Sequence, residues 1–290
     1  MKSGRRVIVP TGGNKVGGPQ ITPLSGNRLH LNHGPIDLVL WAEGRDVAQA
    51  YRQAMDRFAH VLEELVAELP ALRSPAPKAL QGPIAQAMAA AVAPFRPAFI
   101  TPMAAVAGAV ADAVLAAMCN DLALTRAYVN NGGDIAVHLA PGQSLTAAMA
   151  GGARLVLHHD QAPRGIATSG RGGRSLSRGI ADSVTVVART AAMADAAATM
   201  IANAVDLPDH PAITRRPARA LQADSDLGDI LVTTGVGPLT QAGISQALSA
   251  GETAARAYAA QGLIAGTALF LHSETRTLGT LSLVKDPDHV

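Results

Sequence analysis

The chain has 290 residues, 48% apolar and 16% charged, with 24 Lys and Arg against 22 Asp and Glu for a formal charge of +2. High apolar content at low net charge excludes disorder as the main state, and so small a charge excludes the basic excess of a nucleic-acid-binding domain. A single cysteine, Cys119, excludes a disulfide framework and a cysteine-ligated zinc site, and 3% aromatics leave the packing to alanine and small aliphatic residues.

Residues 1–27 hold glycines and prolines without an apolar period and are expected as a flexible arm before one domain, residues 28–290. The first residues include two arginines but no continuous apolar stretch, so no secretory signal is read. The uncharged runs 79–95 and 97–111 fall short of the ~20 apolar residues of a spanning helix. A cytoplasmic protein without a membrane partner is expected. Residues 28–41 (RLHLNHGPIDLVLW) read as two strands around a His33-Gly34-Pro35 turn. After Asp46 as N-cap, Val47, Tyr51, Ala54, Phe58, Val61 or Leu62, Leu65 and Leu69 recur at helical steps until Pro70. Gly82-Pro83 opens an alanine-rich helix that Pro94 closes. Thr101-Pro102 opens another over 103–118, with Thr101 as cap. That helix has almost no side-chain bulk and one charge, Asp112, and reads as central and buried.

From Arg126 the pattern changes. Short apolar runs at 127–130 and 135–140 flank Asn131-Gly132-Gly133-Asp134, a hairpin with four connecting residues. Strands follow at 154–159, 165–169 and 183–189, then a helix from Ala191 capped by Thr190. Residues 206–223 read as irregular, 229–234 as a strand, 238–261 as a helix broken near Gly251, and 263–272 with 277–284 as a closing strand pair. Helices alternating with hairpin groups predict an α+β fold with an antiparallel or mixed sheet, not a doubly wound parallel one.

Four places can carry chemistry. Residues 163–182 (PRGIATSGRGGRSLSRGIAD) hold Arg164, Arg171, Arg174 and Arg178 among five glycines. Glycine lets backbone N–H groups cradle an anion and arginine grips phosphate bidentately; a solvated basic loop has the same composition. Asn131, Gly132, Gly133 and Asp134 allow close backbone approach and offer amides to a heterocycle edge, and they equally spell an ordinary turn. Asp195 and Thr199 share one helix face, a carboxylate and hydroxyl that suit Mg²⁺; an exposed Asp beside a Thr bonded to its own helix reads the same. Asp182 is a candidate base. Residues 224–229 (DSDLGD) lack the closing Glu of a calcium loop and read as a turn.

Six segments, in order, resemble ApbE-like proteins, the superfamily of FAD:protein FMN transferases, and more closely their short, uncharacterised cytoplasmic branch. They are RLHLNHGPIDLVL, FITPMAAVAGAVADAV, YVNNGGDIAVHL, GIATSGRGGRS, GIADSVTVVARTAAMADAAATMIANAVD and DSDLGDILVT. The resemblance implies one α+β domain of ApbE-like architecture, related to tunnelling folds. It implies that residues 103–112, Asn130 to Asp134 and Thr168-Ser169-Gly170 surround a flavin nucleotide, and that Asp195 and Thr199 hold magnesium. Three positions depart from the transferase pattern: Ala107 stands for a Lys, Arg171-Gly172 replaces an acidic segment, and residues 177–182 replace a His-x-x-Asp-Pro stretch. An arginine in place of an acid implies a more anionic ligand or a different headgroup.

Two functional expectations follow. One is a transferase-like enzyme of cofactor metabolism that binds a phosphorylated heterocycle of flavin (FAD or FMN), pterin or purine type. Mg²⁺ would sit on Asp195 and Thr199, Arg171, Arg174 and Arg178 would clamp the anion, and Asp182 would serve as base. The other is a non-catalytic ligand-binding or assembly protein serving tetrahydromethanopterin-linked one-carbon metabolism. The small-residue helix also suits a subunit interface, so a homo-oligomer is expected.

Overall fold

The computed structural model describes residues 17–149, 153–279 and 281–285. Residues 1–16 of the expected arm lie outside them. Among the described residues the strands are, in chain order, β1 (Gln20–Leu24), β2 (Arg28–His33), β3 (Ile36–Gly44), β4 (Leu124–Asn131), β5 (Asp134–Leu139), β6 (Ser144–Ala148), β7 (Ala153–His158), β8 (Gly165–Ser169), β9 (Ser183–Ala188), β10 (Ile213–Pro217), β11 (Leu231–Val236), β12 (Gly266–Leu271), β13 (Glu274–Gly279) and β14 (Ser282–Lys285). The helices are α1 (Val47–Ala67), the single turn α2 (Leu69–Leu72), α3 (Pro83–Val92), α4 (Val106–Cys119), α5 (Ala191–Ala204) and α6 (Gln241–Ala260).

Nine strands form one sheet in the order β1-β2-β3-β4-β5-β8-β9-β12-β13, and every pairing is antiparallel. The helices cover one face. On the other, Val137, Leu139, Ile166 and Val187 meet Leu155 and Leu157 of the small sheet β14-β7-β6 in a second, lesser core. Alternation along β5 and β8 thus sends Asp134, Ala136, Ala167 and Ser169 toward the helices and Ile135, Val137 and Ile166 away from them.

The helical layer is built for close approach. A Cβ at Gly108 of α4 would lie 2.2 Å from the Ala191 carbonyl oxygen, and one at Gly165 of β8 would lie 2.0 Å from the Thr190 carbonyl carbon. Backbone therefore meets backbone where α4, α5 and β8 converge. Asp112 of α4 accepts the Ala191 and Ala192 N–H groups at 3.0 and 2.9 Å, and Thr190 Oγ1 accepts that of Met193 at 3.2 Å. Three of the N–H groups left unpaired at the start of α5 are thereby satisfied. The stretch Pro102–Cys119 is long and apolar enough to cross a membrane by length and composition; here it packs against α1, α5, β4 and β5. Cys119 is a half-buried packing residue whose thiol burial pushes up to about 11.

Several boundaries differ from the sequence reading. Gln20–Leu24 lies in the expected arm yet is the edge strand β1; all five residues are exposed, so no alternation marks it. The β4–β5 connection is two residues, because Asn131 and Asp134 still pair and Gly132 and Gly133 alone turn, with φ of 65° and 114°. α1 ends at Ala67, three residues before Pro70, which sits in the first turn of α2. Asp46 and Thr101 stand at N-cap positions, but their oxygens go elsewhere: Asp46 accepts the Ala123 N–H at 2.9 Å and Thr101 donates to Asp226. α6 runs unbroken through Gly251, where a Cβ would meet Val205 and Leu269 at 2.3 and 2.7 Å; close packing, not a break, requires the glycine. β6 and β10 fall where no strand was read.

Candidate functional site

A cavity of about 310 Å³ opens between the turn leading into α4, the β5 and β8 strand ends, α5, and residues 222–227. Its walls bring together Asp134, Ser169, Arg174, Asp195, Thr199 and Asn203. The last three of the α5 series stand at i, i+4 and i+8, one polar stripe on a helix otherwise made almost wholly of Ala, Met and Ile.

Asp195 lies under the start of α4, where the Gly108 N–H donates to its Oδ2 at 3.0 Å. Burial raises its pKa well above the carboxylate range, and the Asp134 and Asp112 charges raise it further, against the Gly108 and Ala107 N–H groups. Asp134 is buried and accepts the Thr168 N–H at 3.2 Å. Its pKa is pushed up to about 7 by burial, opposed by that N–H group and by the Arg174 guanidinium. Arg174 lies over the glycine turn: a Cβ at Gly132 would be 2.1 Å from its Nη2, so a side chain there would push the guanidinium aside. Besides the Asp134 and Asp195 carboxylates, the Ser169 and Thr199 hydroxyls and the Arg174 guanidinium, the lining includes Arg73, Asp224 and Asp226, of which Arg73 pairs with Asp224 and Asp226 accepts from Thr101. Among the described residues no three His, Cys, Asp or Glu side chains gather as a metal-binding group. Two carboxylates with hydroxyls still match the partial protein shell that Mg²⁺ takes, with waters and ligand phosphate completing it.

Other residues read from the sequence have different placements. The Asn131 amide donates to the Ala107 carbonyl at 3.1 Å, and the Gly133 N–H donates to Asn130 Oδ1 at 2.8 Å. Thr168 points its hydroxyl at Thr185, 2.9 Å away, and contributes its backbone to Asp134. Gly170, with φ of 138°, is pressed against the backbone of Asp182. The N–H groups of Arg171, Gly172 and Gly173 donate to Ala181, Asp182 and Gly170 carbonyls, so the glycine-rich backbone is zipped onto its neighbour instead of cradling an anion. Arg171 pairs with Asp182 at 2.5 Å, and Asp182 also accepts the His272 N–H at 2.5 Å. Arg164 donates to the carbonyls of His159, Gln161 and Pro163. Of the four arginines, only Arg174 lines the cavity; Asp182 and Arg178 do not.

The sequence reading missed Asn203 and the 222–227 wall. Asn203 was within reach, one more four-residue step from Thr199. The wall was not, because long-range bonds place it: Arg73 to Asp224 at 2.6 Å and Thr101 to Asp226. A second, shallow depression lies on the sheet face away from the helices, beside β6, where Trp41 stacks on Tyr128 and Arg126 lies 5.4 Å over the Trp41 ring. Arg126 is held there by Glu43 at 2.5 Å and Arg28 by the Ser25 carbonyl at 2.9 Å, so this is packing of the outer face.

An antiparallel sheet under a layer of small-residue helices, with a polar cavity where α4, α5 and the glycine turn meet, defines an α+β domain of the ApbE-like class. The chain belongs to the family described as AbpE bacteria, whose pattern it matches over residues 21–277. It is similar to a UPF0280 protein of Methanopyrus kandleri, 32% identical over 204 residues covering 67% of this chain and 80% of the relative. It is also similar to a UPF0280 protein of Methanoregula boonei, 35% identical over 162 residues covering 52% of this chain and 67% of the relative. A UPF0280 protein of Methanothermobacter thermautotrophicus is 39% identical over 121 residues, 39% of this chain and 46% of the relative.

Proposed function

We propose that the cavity binds a phosphorylated heterocycle together with Mg²⁺, and that the protein serves cofactor metabolism through that ligand. The observation that carries this reading is the convergence of Asp195, Thr199, Asp134 and Arg174 on one cavity from separate elements. Asp195 and Thr199, one helical turn apart, would hold the cation, with Asp134 and Ser169 beside them. Mg²⁺ bound there would screen phosphate charge and act as Lewis acid toward it. Arg174, lying over the Gly132-Gly133 turn, supplies the anion contact that Arg171, Arg174 and Arg178 were expected to share. Ligand pockets run from roughly 300 to 1,000 Å³; a cavity of about 310 Å³ suits one ring with its phosphate better than an enclosed dinucleotide.

Carriage of the ligand, without turnover, is the second reading. It is favoured by Asp182, the expected base, which is taken up by Arg171 and the His272 N–H. The first test is mass spectrometry and absorbance of small molecules released from protein purified with Mg²⁺ throughout, paired with FMN binding measured with and without chelator. The reading expects a phosphorylated heterocycle to be released, and FMN or that molecule to bind only with metal and only with Asp195 intact. Binding unchanged in Asp195→Ala, or after chelation, overturns the metal role. Repeatedly empty preparations that also ignore FMN overturn the cavity reading.

A further inference from the structure

We infer that Asn203 reads the ring edge of the ligand and selects a heterocycle presenting a carbonyl oxygen over one presenting an exocyclic amine. This rests on the cavity reading above and adds the substrate edge to it. Asn203 lines the same cavity as Asp195 and Thr199 on the same stripe of α5. At 1.5 Å rise per residue it stands about 12 Å along the helix from Asp195, so the stripe separates a cation and phosphate end from an amide end.

The amide is held in one orientation. The Arg178 N–H donates to Asn203 Oδ1 at 3.1 Å, and a backbone N–H can be met only by the amide oxygen. That anchor is braced in turn: the Arg178 carbonyl accepts from Thr233 Oγ1 at 3.3 Å and from Arg215, whose other nitrogen pairs with Asp206 at 2.5 Å. Nδ2, with two hydrogens, has no protein partner among the described residues. A fixed donor at a cavity wall accepts a ring carbonyl and opposes an amine, donor facing donor. Asn131, by contrast, has its amide nitrogen committed to the Ala107 carbonyl, so the ring-reading role expected of the Asn-Gly-Gly turn passes to α5.

The test is calorimetric titration, in Mg²⁺, of inosine monophosphate and adenosine monophosphate, which differ at the C6 edge. The wild type should bind the inosine nucleotide tighter by roughly tenfold, the size of one hydrogen bond gained against one opposed. Asn203→Asp keeps an oxygen for the Arg178 N–H and puts an acceptor where the donor was; it should reverse the preference. Asn203→Ala should bind both alike and decides the matter if Asn203→Asp does not fold. Equal binding by the wild type, a preference that survives either substitution, or no binding of either nucleotide overturns the inference. The cavity reading is judged separately by the chelator and Asp195→Ala results.

Discussion

Asp182 immediately precedes β9 and Asp195 lies on α5, the helix that follows it, and the two are treated in opposite ways. Asp182 is given a guanidinium at 2.5 Å and a backbone N–H, and its side chain keeps a third of its surface exposed. Asp195 is given backbone N–H groups, no cation among the described residues, and two more carboxylates whose charges act on it. A carboxylate whose charge is answered within the chain is structural. One that is enclosed without a counter-charge needs something from outside, a proton or a cation. This contrast, more than the identity of the residues, separates scaffold from site here.

The contrast can be broken most severely at the packing that encloses Asp195. Gly108→Val would place a branched side chain where a single Cβ already lies 2.2 Å from backbone. It should cost about 3 kcal/mol or more, read as a fall in the urea midpoint with loss of ligand binding. The two aspartates should then diverge on neutralisation. Asp182→Asn should destabilise by about 1 kcal/mol, the pair being partly exposed, and leave binding intact. Asp195→Asn removes an unanswered charge and should raise stability by about 1 kcal/mol, roughly 2–4 °C in Tm, while abolishing metal-dependent binding. If both fall in stability, the contrast is wrong.

The same logic fixes a pH dependence. Asp134 holds its proton more tightly in the folded chain than in the unfolded one, where a carboxyl titrates near ~3.9. Its contribution is therefore fully present below that value and is lost as pH rises through about 7. Metal-free protein should lose stability across this window, and Asp134→Asn should flatten the curve, as followed by urea denaturation at successive pH values. The smallest effect belongs to the far wall. Thr101→Val removes the hydrogen bond that ties Asp226 to the turn leading into α4 and should cost no more than about 1 kcal/mol. It sharpens the comparison if ligand affinity falls more than stability does.

How far the fold was legible depends on which elements mark themselves. α1 was readable because Tyr51, Ala54, Phe58, Val61 and Leu65 form one buried stripe against charged neighbours. The start of α5 was readable because Thr190 is a cap whose oxygen accepts the Met193 N–H; α6 starts at Gln241, three residues beyond the expected 238, where Thr240 accepts the Gly243 N–H. β1 was missed because an edge strand with no buried face has no period. The segment 163–182 drew attention as a phosphate cradle because glycine and arginine permit that chemistry; permission is not placement, and most of its N–H groups and two of its four arginines close bonds within the chain.

The sequence by itself determined the α+β class, the α1 stripe, the Thr190-capped start of α5 and the Asp195–Thr199 spacing, since these depend on side-chain period, capping chemistry and spacing along one helix. Only the tertiary structure decided that Asp134 joins Asp195, that Arg174 alone of its group reaches the cavity, and that the Asn203 amide nitrogen has no partner among the described residues. Those facts depend on which charges and N–H groups find partners far along the chain. That is settled by the close backbone contact of α4, α5 and β8, which no local pattern encodes.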